Sequence, residues 1–134
     1  VSKIQKLDSY EDQNLLITGI RRGKELAKVR VLLVVGNDQN EKEMTSILRS
    51  CGCVSITPKK TRADAALAAQ ESGKYNAVLV LIDDNDSLHG VELIKDLNLS
   101  EYQGMVIGLS HCTGDPKTSD KAQRAGVDVI LRMP

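Results

Sequence analysis

The chain has 134 residues, enough for one domain with a real core and no need of metal or disulfide staples. Its 18 basic and 18 acidic side chains cancel, which excludes a global field that would draw it to nucleic acid or to anionic lipid. Hydrophobic residues make up 41%, yet Phe and Trp are absent and only three Tyr are present, so the core must be aliphatic and a base-stacking platform is excluded. No apolar run is long enough to span a membrane, and no basic-then-apolar leader opens the chain, so direct membrane contact is not expected. Three Cys argue against a closed disulfide framework and for a reducing, cytoplasmic setting.

Residues 1–28 read as a separate linker or packing segment, and 29–134 as the domain. The first part mixes charges with one apolar cluster, Leu15-Leu16-Ile17 and Ile20, and Gly19 and Gly23 interrupt any helix through it. From Val29 the order becomes regular. Val29–Val35 is a strand buried on both faces, stopped by Gly36-Asn37-Asp38. Glu41–Cys51 is an amphipathic helix with Met44, Ile47, Leu48 and Cys51 inward, closed by Gly52. Val54–Thr57 is a short strand stopped by Pro58. Arg62–Gln70 is a helix with Ala63, Ala66, Leu67 and Ala69 as core positions. Asn76–Ile82 is a central strand, and Asp83–Ser87 a polar loop at its end. Val91–Leu97 is a helix, with Val91, Ile94 and Leu97 or Leu93 inward. Met105–Leu109 is a strand, Lys117–Ala125 a helix closed by Gly126, and Val127–Leu131 the fifth strand. Five strands alternating with four helices predict a doubly wound parallel α/β sheet, in which ligands bind beyond the carboxyl ends of the strands.

The loops at those ends carry little familiar chemistry. Gly36–Asn40 has one Gly and no Lys-Ser/Thr, so neither a dinucleotide fingerprint nor a P-loop is present. Asp38, Asp83, Asp84 and Asp86 sit at strand ends, where carboxylates can hold Mg²⁺ or act as a nucleophile. Asp also populates loops for turn geometry alone. Cys51, Cys53, His111 and Cys112 match no common zinc spacing, and His89 and His111 lack a recognisable nucleophilic partner.

From about Val29 to Pro134 the order of elements resembles the receiver domain of two-component response regulators, a CheY-like, flavodoxin-like fold. Arg30–Val35 is similar to the first receiver strand, Thr61–Leu67 to the start of the second helix, and His89-Gly-Val-Glu-Leu-Ile94 to the start of the third. Val106–Ser110 is similar to the fourth strand with its terminal hydroxyl. Ala125–Leu131 with Pro134 is similar to the approach to a Lys-Pro pair. The resemblance implies an acidic pair after the first strand for Mg²⁺, an acceptor Asp ending the third, a Ser or Thr switch after the fourth, and a Lys before the last Pro.

This sequence departs from that set. Gly36 and Asn37 stand where the acidic pair should be, with Asp38 one place later; Met133 stands in the Lys slot, and Arg132 one residue early points to the other face. Counting from Gly90 puts Ile82 in the acceptor slot, while Ser110 and Met133 are compatible with Asp83. A phosphoaspartate needs nearby cations to carry its charge. The expectation is therefore a degenerate pseudo-receiver: not an enzyme, without a cofactor, any Mg²⁺ at Asp38 and Asp83 held weakly. It would act by protein–protein interaction with a histidine kinase, a phosphotransfer domain or another receiver, and a weak homodimer at most. The alternatives are a phosphorylatable receiver using Asp83 with Mg²⁺, which Asp38 and Asp84 or Asp86 would help to hold, and Ser110 as the switch, and another doubly wound ligand-binding domain. The sequence given stops before the fifth helix of a receiver. Residues 1–28 are expected to take its place, with Val1, Ile4 and Leu7 as a helical stripe.

Overall fold

The computed structural model describes the backbone of residues 5–7 and all of 29–71, 73–83, 88–111 and 116–132. Along these residues run β1 (Gln5–Leu7), β2 (Arg30–Val34), α1 (Asp38–Ser50), β3 (Ser55–Lys59), α2 (Arg62–Ala69) and β4 (Ala77–Leu81), then α3 (Gly90–Leu99), β5 (Met105–Ser110), α4 (Pro116–Ala125) and β6 (Val129–Arg132). The five expected strands and four helices are present as a doubly wound parallel sheet. A sixth strand, β1, extends it in the order β1-β6-β5-β4-β2-β3. The stripe Val1, Ile4 and Leu7 is corrected here: Gln5–Leu7 is extended and pairs in parallel with Val129–Leu131, because the edge of β6 offers free ladder groups to a short segment. Val1 and Ile4 lie outside the described residues.

Local signals fix the boundaries. The Asn37 side chain caps α1 by accepting from the Asn40 N–H at 2.8 Å, and the Thr61 hydroxyl oxygen caps α2 by accepting from Asp64 N–H at 3.2 Å. Each such cap contributes about 1 kcal/mol. Gly52 and Gly126 end α1 and α4 at φ of +102° and +106°, where a side chain would be strained. β3 runs through Pro58 instead of stopping before it. It lies at the sheet's edge, where one missing N–H is tolerated.

All five residues of β4 are buried, as a strand covered on both faces requires. Leu32, Leu33, Ile82, Leu93, Ile94, Leu97 and Ile130 are among the largest fully buried side chains, and each such burial contributes roughly 1.5–3 kcal/mol. The inward faces expected for α1 and α3 hold: Met44 and Leu48 are buried, as are Val91, Leu93, Ile94 and Leu97. The face expected for α2 holds in part, since Ala66 and Ala69 pack against the core. Ala65 is its buried residue, Ala63 is exposed and Leu67 is 67% exposed. An alanine-rich helix has nearly the same hydropathy all round, so contact with β2 and α3 sets its rotation.

Register sorts the strand residues by face. A Cβ on Gly90, the first residue of α3, would lie 3.1 Å from Val80 Cγ1, so Val80 points toward α3. Its register partners Val34 and Gly108, and beyond them Ile130, share that side. Leu33, Leu79, Ile107, Leu109, Val129 and Leu131 point to the other. α2, α3 and α4 pack side by side. The steps β3 to β4, β4 to β5 and β5 to β6 all run in one direction along the sheet, whereas β2 to β3 runs the opposite way. Right-handed crossovers therefore put α1 on the opposite face from the other three. The chain reverses direction between β2 and β4, and that switch point opens a crevice beyond the strands' carboxyl ends.

Candidate functional site

Three strand ends meet at the crevice. The ladder continues one residue past β4, with Ile82 N–H donating to Leu109 O at 2.9 Å, and this places Asp83 beside the end of β5. Ser110, the last residue of β5, is buried, and its hydroxyl donates to Asp83 Oδ1 at 2.6 Å. The His111 backbone N–H donates to Asp83 Oδ2 at 3.1 Å. Both carboxylate oxygens thus hold a protein donor. Ile82, the other candidate for the acceptor slot, is buried, and its side chain packs against Gly108. It belongs to the core.

Gly36 is half-buried and Asn37 is spent on capping α1, so neither brings a charge to the crevice. Asp38 opens α1 with its side chain 70% exposed and forms an ion pair with Lys60, the residue after β3. The Lys60 ammonium, by hydrogen bond and by charge, holds the Asp38 carboxyl below its ordinary range, and Asp38 in turn raises Lys60. Sequence reading missed Lys60. The signal was its place directly after a strand, on the same edge as Asp38 and Asp83. Arg132 is the register partner of Ser110 at the end of β6. Met133, Asp84, Asp86 and Cys112 lie outside the described residues.

The donors at this crevice, among the described residues, do not by themselves make up a Mg²⁺ site. Among the described residues no three His, Cys, Asp or Glu side chains converge on a common point. The two carboxylates proposed as ligands are each engaged by an internal donor. Cys53 is buried, with its thiol near Val29 O and Ser55 O, and burial pushes it above the ordinary thiol range. No described helix is long and apolar enough to cross a membrane.

Two grooves lie elsewhere, toward the amino ends of β5 and β6. One of about 510 Å³ is lined by Ile94, Tyr102, Val106 and Asp128, and one of about 440 Å³ by Glu71, Tyr75 and Glu101. Tyr102 donates to Tyr75 O at 2.9 Å, and burial pushes its pKa up to about 12. Neither groove touches Asp38, Asp83 or Ser110.

No family model matches the sequence, and neither does any curated protein. Solved structures do match. The receiver domain of the histidine kinase CKI1 from Arabidopsis thaliana, complexed with Mg²⁺ and BeF3⁻, superposes with a TM-score of 0.71 at 18% identity, over 80% of this chain and 82% of that one. CheY in the CheX-CheY-BeF3⁻-Mg²⁺ complex from Borrelia burgdorferi gives 0.68 at 18% identity, over 79% and 78%. The fold is that of a receiver domain. A CheY-like receiver domain protein from Methanospirillum hungatei gives 0.63 at 21% identity, over 79% and 82%. At these identities the likeness is one of fold, and the chemistry of this receiver fold has to come from its own residues.

Proposed function

We propose that this chain is a receiver-fold module of two-component signalling that works by binding other proteins and not by accepting a phosphoryl group. One observation carries the reading. Asp83 is already closed on two internal donors, Ser110 Oγ–H and His111 N–H. The switch hydroxyl implied by the receiver resemblance is drawn to the carboxylate itself, so nothing further is needed to pull it in. Asp38 is neutralised by Lys60, and residues 36, 37 and 133 are Gly, Asn and Met where the resemblance implies charged groups. A new dianion at Asp83 would find few cations to offset it. The partners that fit are a histidine kinase, a phosphotransfer domain or another receiver domain. Two similar folds support this class: one is part of a histidine kinase and another is bound to CheX.

The second reading, phosphorylation at Asp83, is favoured by one feature. Asp83 is only half-buried and stands at the switch point with Ser110 beside it. An ionised carboxylate has about four acceptor positions, so two donors leave room for reaction. NMR titration with Mg²⁺ and then beryllofluoride separates the readings. The first expects amide signals of Asp83, Ser110 and Asp38 to stay in place at millimolar Mg²⁺. Saturable shifts confined to those residues would replace it with the second.

A further inference from the structure

We propose that the amino ends of β4, β5 and β6 form a docking trough for an extended basic segment of a partner protein. The trough lies at the other end of the strands from Asp83, so the inference stands whether or not Asp83 accepts a phosphoryl group. It is built from the two grooves of about 510 and 440 Å³, which share Tyr102, Gln103, Gly104 and Met105 in their walls and therefore adjoin. One reaches Asp128 and Val129 at the start of β6, and the other reaches Tyr75 and Asn76 just before β4. Those two strands flank β5 in the sheet. Two strand spacings make about 10 Å, the reach of about three extended residues.

The walls are set in advance. Gly104 leaves room for the Tyr102 ring, since a Cβ there would stand 2.2 Å from Tyr102 Oη and 2.6 Å from Asn76 O. With the ring in place, its hydroxyl reaches Tyr75 O. Met105 N–H donates to Asn76 O at 3.0 Å. Asp128 N–H donates to Val106 O at 2.9 Å, and Val106 N–H donates to Asp128 Oδ2 at 2.8 Å. A surface ordered beforehand loses little freedom when a segment binds.

Charge selects the occupant. Glu71, Glu101 and Asp128 line the two grooves, and among the described residues no Lys, Arg or His does. Lys74 offsets Glu71 at 3.0 Å. Glu101 and Asp128 have no ion-pair partner among the described residues, and Asp128 keeps one oxygen beyond the one that accepts from Val106. The chain as a whole is neutral, so the imbalance is local. Beside these carboxylates the larger groove is floored by Ile94, Leu97, Val106 and Val129. A Lys or Arg side chain fits both features, with its methylene stem over the floor and its charged head at a carboxylate. Leu99, 82% exposed and next to Ser100 in the wall of the smaller groove, offers a flanking apolar contact.

Amide NMR of the whole 134-residue chain, titrated with the blocked peptide Ala-Lys-Leu-Lys-Ala, tests this. Expected are saturable shifts at Glu101, Gln103, Met105 and Asp128, and none from Ala-Glu-Leu-Glu-Ala. The double variant Glu101→Gln with Asp128→Asn should weaken binding by about tenfold. Asp64→Asn removes one charge at the opposite end of the strands and should change it less than about twofold. No saturation by ~5 mM peptide, equal shifts from the acidic peptide, shifts centred on Asp38 and Asp83, or equal effects of the double variant and Asp64→Asn would each overturn the proposal. If the double variant does not fold, Glu101→Gln alone decides, because position 101 is exposed. A weakening of about threefold or more upholds the trough, and a smaller one overturns it.

Discussion

Asp83 gains its two donors because the β4 ladder runs one residue beyond the strand and carries the carboxylate to the end of β5. Ser110→Ala removes a charge-assisted hydrogen bond from a buried hydroxyl while the His111 N–H remains, so a loss of about 1–2 kcal/mol is expected in urea unfolding. Ser110→Thr keeps the donor and should lose less. The Asp38 carboxyl is lowered by Lys60, so its contribution to stability is present above its unfolded pKa and fades as pH falls through the folded value. In Lys60→Met, a carbon-13 titration of the Asp38 carboxyl should return to the ordinary range, and in the native chain concentrated salt should move it the same way. Tyr102 gives the opposite edge of the pH range. Its folded pKa is raised from 10.0 to about 12, so between those values the unfolded chain ionises first and the urea midpoint should fall as pH rises. Tyr102→Phe should flatten that decline. Asp83 and Ser110 were legible in the sequence because each ends an apolar run. The choice between Ile82 and Asp83 was not, since one residue of ladder decides which side chain leaves the core. Lys60 was hidden because its partner lies 22 residues earlier and the two meet only across adjacent strand ends.

The elements themselves were legible because a strand buried on both faces writes a continuous apolar run, as in Val78–Ile82, and a helix between two such runs must bury one side. One helix's rotation and one whole strand escaped, for opposite reasons. α2 has too little contrast around its circumference to announce its rotation, and Leu67 ended outside. β1 is three residues long, too short for a period, and exists because β6 would otherwise present an open edge. The junction of β4 with α3 is tighter than either element alone suggests. A Cβ on Gly90 would stand 1.8 Å from Leu81 O and 2.8 Å from Leu81 C, both backbone atoms that cannot swing away. Gly90→Ala should therefore displace the start of α3 and destabilise by about 2–3 kcal/mol, read as a lower urea midpoint. Because α3 begins just after the Asp83 loop, the same variant should shift the amide signals of Asp83 and His111, which a change confined to α3 would not do.

At the scale of the whole molecule, strand order decides which parts can open alone. β4 lies between β2 and β5, and both of its ladders and both of its faces are closed. β3 has one neighbour and contains Pro58, and its residues are half-buried or exposed. Opening β3 breaks one ladder and exposes little apolar surface, whereas opening β4 divides the sheet and uncovers Val78–Leu81 on both sides. Local openings of edges cost far less than global unfolding. Native-state hydrogen exchange should therefore be slowest at Val78–Leu81, Leu32–Val34 and Ile107–Leu109, with protection close to the global unfolding free energy. Ile56, Thr57 and Lys59 should exchange at least tenfold faster. The Asp83 carboxylate is anchored to Ser110 and His111 at the end of β5. Ser110→Ala should accordingly speed exchange at His111 and leave the slow core of β4 unchanged. A uniform acceleration would mean instead that the Asp83–Ser110 contact belongs to the global folding unit and not to a locally closed crevice.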